Sequence, residues 1–353
     1  MRGRSIVVML LMVIAVAACG SSDDQQADEA NDGAGAGAEG TGPDADPSPA
    51  AAATIAPSST TTTVATTTTT EPPPLPIRLL VAGDSYSSGE GLGDAEGRCA
   101  RSPSAYGPLA ARRLAADGVD VERVVLAACT GATVGNWSGQ LDQWDGDAPN
   151  LIAVTMGGND GGFVPLMADC LGVDDGLEVV GDADDLDLGA AVGLLVNRGC
   201  DTSEADVEAD TDAVADRLRG LYTSMVEAVG ENGEVYVLGY PVPLADPDGW
   251  SGPRCDGIAR DDARFLRRAA AGLNEAIAEA TEVDDRVHFV EVASTFEGHA
   301  RCSPDPWLFG LEDLIGRDDG DRLTLALTRP FHPTEDGHEA MAELLAEAVL
   351  GNR

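Results

Sequence analysis

Ser85 lies in the stretch "GDSYSSG" at residues 83–89, straight after the apolar run "IRLLVA", and His332 lies in "PFHPTEDGH" at residues 330–338. A serine hydroxyl is a poor nucleophile until a base accepts its proton, and a neutral imidazole with a pKa of about 6.5 can do so at neutral pH. Together they suit acyl transfer through a covalent intermediate. The plainer reading of "GDSYSSG" is a polar turn, since Gly-Asp-Ser alone says little in a chain so rich in Gly and Asp. Two further blocks, "CTGAT" at 129–133 and "GGNDGGF" at 157–163, stand between the serine and the histidine.

Five apolar runs rich in β-branched residues would position these blocks: "IRLLVA" (77–82), "VERVVLAA" (121–128), "LIAVTM" (151–156), "EVYVLG" (234–239) and "VHFVEV" (287–292). Helical patterns accompany them at 108–117, 210–230, 262–281 and 334–350. Such alternation predicts an α/β domain with a mostly parallel sheet covered on both faces. In open sheets of this kind the site lies beyond the carboxyl ends of the strands. Three of the four blocks follow strand ends, and His332 leads into the last helix.

The four blocks in this order resemble the SGNH hydrolases, also called the GDSL family. Further stretches, "CARSPSAYG", "AACTGAT", "VTMGGNDGGF", "VLGYP", "FEGHARC" and "FHPTEDGH", look like the secreted three-disulfide lipases and esterases of streptomycetes over roughly residues 78–350. The resemblance implies a three-layer α/β/α, flavodoxin-like fold with a five-stranded sheet. It matches Ser85 to the nucleophile, Gly131 and Asn159 to the oxyanion-hole positions, and His332 to the general base. The backbone N–H groups of Ser85 and Gly131, with the side-chain amide of Asn159, would supply three donors to the charge that develops on the ester oxygen. Glycine suits position 131 because the backbone can then approach the substrate closely.

One position departs from the family pattern, in which an Asp three residues before the histidine orients it; here that residue is Arg329. A guanidinium has only donors and cannot accept from an imidazole N–H. Some members of the resembling branch use a main-chain carbonyl, so the carbonyl of Arg329 is expected to orient His332 in a Ser–His dyad. Asp336 and Asp84 are the alternatives. Of the four histidines, His338 within the last helix reads as a packing or capping residue. His299 in "FEGHARC" reads as structural, and His288 as part of a strand.

Setting aside Cys19, six of the seven cysteines remain, an even number that fits an oxidising compartment. Fifteen pairings are open to six cysteines. The resemblance selects Cys99–Cys129, Cys170–Cys200 and Cys255–Cys302, each closing a loop worth roughly 3–4 kcal/mol in the chain-entropy model. The acidic segment 174–189 lacks the ordered spacing of a calcium loop and reads as a solvated insertion. Neither zinc spacing nor a phosphate-binding glycine loop is evident, so hydrolysis without cofactor or metal is expected. Tyr86, Trp137, Phe163, Trp250 and Trp307 are candidates for acyl-chain walls or for core; Arg98, Arg101 and Arg254 are candidate rim residues.

The 353-residue chain carries 61 acidic and 22 basic residues, has no lysine, and has a formal charge of −39. That surface repels nucleic acid, so no nucleic-acid partner is expected. Residues 1–18 read as a signal peptide, with Arg2 and Arg4 ahead of a short apolar segment. "VAAC" at 16–19 resembles a bacterial lipobox, which would make Cys19 the lipid-carrying residue. Residues 19–76, with tracts such as "TTTTVATTTTT", then form a disordered tether of roughly 40 Å, and 77–353 the catalytic domain. The expectation is a lipid-anchored, extracytoplasmic (or secreted) monomeric serine esterase or lipase. Alternatives are a carbohydrate or cell-wall O-acetyl esterase and a non-catalytic surface binding lipoprotein.

Overall fold

The computed structural model describes residues 75–171, 200–255, 258–310, 315–317, 323–325 and 330–352. The expectations for residues 1–18, for Cys19 and the tether up to residue 74, for 174–189 and for Arg329 lie outside the described residues.

Five strands form one parallel sheet: β1 (Ile77–Gly83), β2 (Val121–Leu126), β3 (Leu151–Thr155), β4 (Glu234–Leu238) and β5 (Val287–Val290). Their spatial order is β2-β1-β3-β4-β5. The chain runs outward from β1 to β2 and returns to β3 on the other side. The order therefore reverses between β1 and β3, where open α/β sheets place their crevice.

Period-2 alternation divides each central strand between two cores. Leu79, Val81, Ala153, Tyr236 and Leu238 face helices α2 (Tyr106–Ala116) and α7 (Glu335–Gly351). Leu80, Ala82, Ile152, Val154, Val235 and Val237 face α5 (Glu204–Val229) and α6 (Arg260–Ala280). Residues buried on both sides explain why these strands read as unbroken apolar runs. The helices bury stripes at helical spacing, such as Val214, Leu218, Leu221 and Met225 of α5, or Met341, Leu345 and Val349 of α7. The result is the three-layer α/β/α architecture.

Short helices α1 (Ser85–Ser88), α3 (Trp137–Leu141) and α4 (Phe163–Leu171) follow β1, β2 and β3. Helix α5 begins at Glu204 rather than at 210, because Ser203 caps it and Glu204 and Asp206 in its first turn favour an early start. A third apolar cluster, with Leu166, Leu244, Trp250, Ile258, Leu266 and Phe331, packs at the carboxyl side of the domain beside Cys170–Cys200 and Cys255–Cys302.

His338 joins the two helices of one layer. It is fully buried in α7, its Nδ1 accepts the Tyr106 N–H of α2 at 3.3 Å, and the two rings stack. Burial, with a smaller push from His332, lowers its pKa from 6.5 to about 3. The unfolded chain thus binds the extra proton between pH 6.5 and 3, so this group's contribution to stability is lost as the pH falls through that window. His338→Asn keeps an acceptor for the Tyr106 N–H and removes the titration. The wild-type advantage over this variant in denaturant unfolding is expected to be greatest above pH 6.5 and to shrink by up to about 1.4 kcal/mol per pH unit below it.

Candidate active site

The first strand ends at a backbone position that admits only glycine. Gly83 has φ +124°, and a Cβ there would stand 2.3 Å from Ser87 Oγ and 2.4 Å from the Thr155 carbonyl oxygen. Buried Gln140 of α3 clamps it, accepting from its N–H at 2.7 Å and donating to its carbonyl at 2.8 Å. The next residue, Asp84, donates its N–H to the Thr155 carbonyl and caps α1 by accepting from Tyr86 N–H at 3.0 Å. Gly89, at φ +87°, stops α1 after one turn. Ser85 is therefore the first residue of a single helical turn at the carboxyl edge of the sheet.

His332 reaches this serine from the other end of the domain. Its Nε2 is 2.7 Å from Ser85 Oγ, a distance at which the hydroxyl proton can pass to the ring. The loop that carries it is held by backbone bonds: Phe331 N–H donates to the Phe309 carbonyl at 2.7 Å, and Phe309 N–H to the His332 carbonyl at 2.9 Å. Phe331 adopts φ +66°, and its carbonyl accepts the Tyr86 hydroxyl at 2.6 Å. The Tyr86 ring lies 5.2 Å from the imidazole. The two carboxyl groups considered as orienters are elsewhere engaged or outward: Asp84 binds Tyr86 N–H and the Tyr240 hydroxyl, and Asp336 is exposed in the first turn of α7.

The remaining blocks occupy the ends of β2 and β3. Gly131 has φ +71°, and a Cβ there would meet nothing within 4 Å, so its backbone borders open space. Cys129 N–H donates to the Gly83 carbonyl at 3.0 Å, Thr130 N–H to the Cys99 carbonyl at 3.2 Å, and Cys99–Cys129 is a disulfide. Asn159 donates its amide to the Ala132 carbonyl at 2.9 Å, which ties the third block to the second and leaves the other amide hydrogen for a ligand. Asp160 accepts from Val134 N–H at 3.0 Å. Among the described residues, no group of three or more His, Cys, Asp or Glu side chains is arranged to hold a metal ion.

Other sequence candidates fall into structural places. His288 pairs with Glu234 across neighbouring strands, and His299 stacks on Trp307 at 3.6 Å while its Nδ1 meets the Asp305 carbonyl oxygen. Trp137 and Trp250 are core. Arg101 is no rim residue for anions, because its guanidinium donates to the carbonyls of Ala127 and Ala128 at 2.8 and 2.7 Å. Cys170–Cys200 and Cys255–Cys302 complete the disulfides among the described residues.

Tyr240, Gln140 and Glu90 belong to the site's framework and were not singled out from sequence. Tyr240 lies in "VLGYP" after β4. Its hydroxyl accepts from Gly158 N–H at 2.9 Å and donates to the buried carboxyl of Asp84, joining the third block to the first. Burial raises the Asp84 pKa to about 7; the bonds from Tyr240 and Tyr86 hold it down, and the charges of Asp160 and Glu90 push it up. Tyr240→Phe removes a donor to Asp84 and an acceptor for Gly158. It is expected to cost about 1–3 kcal/mol of stability in denaturant titration. Loss of kcat should accompany it, since the Gly158–Asn159 turn loses its anchor.

The GDSL-like Lipase/Acylhydrolase family matches residues 81–340 of this chain. Lipase 1 of Streptomyces coelicolor is 28% identical over 264 residues, which make up 73% of this chain and 81% of that protein. The crystal structure of an extracellular lipase from Streptomyces rimosus superposes with a TM-score of 0.55 at 26% identity, covering 77% of this chain and 99% of that one. A phospholipase A1 from Streptomyces albidoflavus gives a TM-score of 0.54 at 25% identity, over 77% of this chain and 99% of its own. With a parallel five-stranded sheet and a serine bonded to a histidine at its carboxyl edge, the chain belongs to the GDSL-like lipase/acylhydrolase family and is a carboxylic ester hydrolase.

Proposed function

We propose that the chain hydrolyses lipid acyl esters outside the cytoplasm through an acyl-enzyme on Ser85, with His332 as base. The observation that carries this reading is the 2.7 Å contact between Ser85 Oγ and His332 Nε2. His332 takes the hydroxyl proton as Oγ bonds to the ester carbonyl carbon. The carbonyl oxygen gains the charge, which the N–H groups of Ser85 and Gly131 and the amide of Asn159 receive. Collapse breaks the bond to the alcohol oxygen, which takes the proton from Nε2. Water then attacks the acyl-serine, giving its proton to His332, and the acid departs as Ser85 regains its own. The Arg329 carbonyl orients the imidazole in this scheme.

The lipid class is favoured because similar chains include a lipase and a phospholipase A1. Three disulfides support an oxidising compartment. Residues 1–18 would direct export, Cys19 would carry the lipid anchor, and the segment to residue 76 would hold a monomeric domain away from the membrane. Among the described residues, no helix is long and apolar enough to cross a membrane.

Ser85→Ala is expected to abolish turnover of p-nitrophenyl butyrate, and Asn159→Ala to lower kcat by about 100- to 1000-fold, the effect of one lost oxyanion donor. An active Ser85→Ala variant would refute the mechanism. Substrate class is tested by a series of acyl esters of rising chain length set against acetylated glycans. Rates should rise beyond acetate, whereas a sharp preference for O-acetyl sugars would favour the cell-wall esterase reading.

A further inference from the structure

Glu90 follows the nucleophile by five residues, between Gly89 at φ +87° and Gly91 at φ +95°. Its N–H donates to the Ser85 carbonyl at 3.1 Å, so the chain doubles back beneath the serine. The side chain is 8% exposed, and its Oε2 lies 3.8 Å from His332 Nε2, the nitrogen that faces Ser85. The Thr130 hydroxyl donates to the same oxygen, one residue before Gly131. A buried carboxyl is costly unless it is paired. Thr130 brings a neutral donor; among the described residues, the imidazole is the group near it that can become a cation.

Resting on the Ser–His reading above, we propose that Glu90 is a positioning residue for that pair: its carboxylate lies on the nucleophile's side of the ring and holds the imidazolium formed when Ser85 gives up its proton. A triad carboxylate bonds Nδ1 on the opposite side. At 3.8 Å Glu90 is beyond hydrogen-bonding distance, so it takes no proton and acts through its charge. The proton moves only from Ser85 Oγ to Nε2 and on to the leaving alcohol. Charge is thus in place before the reaction creates its counter-charge, and no solvent need reorganise. The same carboxylate, through Thr130, fixes the turn that presents Gly131.

Among the described residues, Tyr86, whose ring lies 5.2 Å away, and His338, buried in α7, are further titratable groups near the imidazole. Asp84, held by Tyr240 and Tyr86, also senses Glu90, as it does Asp160.

Glu90→Gln keeps an acceptor for Thr130 and removes the charge, so it separates the two roles. With p-nitrophenyl butyrate, kcat/KM is expected to fall about 10- to 100-fold. The acid limb of its pH profile should move to lower pH by roughly one unit, because the imidazolium has lost its neighbouring anion. Thr130→Val should lower the rate without moving that limb. If Glu90→Gln does not fold, Glu90→Asp withdraws the charge by one methylene and should move the limb the same way by less. An acid limb that coincides with the wild type in the folded variant overturns the proposal. Ser85→Ala and His332→Ala are assayed beside it: activity surviving in either defeats the Ser–His mechanism, whereas their inactivity with an unmoved limb defeats the role of Glu90 alone.

Discussion

The carbonyl of Thr155 approaches the backbone of Gly83 so closely that no side chain fits between them, and most of the site hangs from that junction. Asp84 N–H closes onto the same carbonyl, while Cys129 N–H and Gln140 both bond the Gly83 carbonyl. The ends of β1, β2 and β3 are thereby fixed to one another within two residues of Ser85. The network continues inward: Thr155 N–H donates to Ser87 Oγ, Ser87 Oγ meets the Tyr106 hydroxyl, and that hydroxyl meets Thr155 Oγ1. Tyr106 N–H then bonds His338 in the helix that follows His332. A path of buried hydrogen bonds and short chain runs from Ser85 to His332, where an unsatisfied member would cost about 1–3 kcal/mol.

Two buried groups in this region carry opposite pH linkages. Asp84, raised to about 7, binds more protons folded than unfolded, so its contribution to stability is lost as the pH rises from 3.8 towards 7. His338, lowered to about 3, loses its contribution as the pH falls from 6.5. Across their shared range the two slopes offset each other. A chain with a formal charge of −39 can therefore keep two titratable groups in its core without the pair together imposing a steep dependence on pH in that range.

The sheet was legible because its central strands β1, β3 and β4 are buried on both faces and stand out as nearly unbroken apolar runs. The blocks that contain Ser85, Gly131 and Asn159 stood out because they follow strand ends, where open α/β sheets place their sites; the roles of Gly131 and Asn159 are what the family resemblance implies. Tyr240 and Gln140 were hidden for the opposite reason. Their polar atoms act at separations of 156 and 57 residues, on Asp84 and Gly83, and nothing local marks a tyrosine or glutamine as a partner for a distant turn. Glu90 gave one local sign, an acidic residue between two glycines close behind the serine. In a chain with 61 acidic residues that sign was lost. Arg101, a candidate rim residue from the sequence, instead satisfies two carbonyls that the sheet leaves open.

Ser85 and His332 are 247 residues apart in sequence, so their separation is set by packing rather than by any local motif. A displacement of about 1 Å between reacting groups is enough to cost on the order of 100-fold in rate. The structure limits such drift at the nearest possible points, for the residue after the serine bonds the residue before the histidine: Tyr86 OH to the Phe331 carbonyl. Tyr86 is itself braced edge-on by Tyr240 at 5.0 Å, and the Phe331 side chain is buried in the third apolar cluster with Leu166 and Trp250. The Ser85 and His332 side chains thus need only their own short rotamers to meet. This explains why a tyrosine follows Ser85 here, and why Phe331 holds a left-handed backbone beside His332.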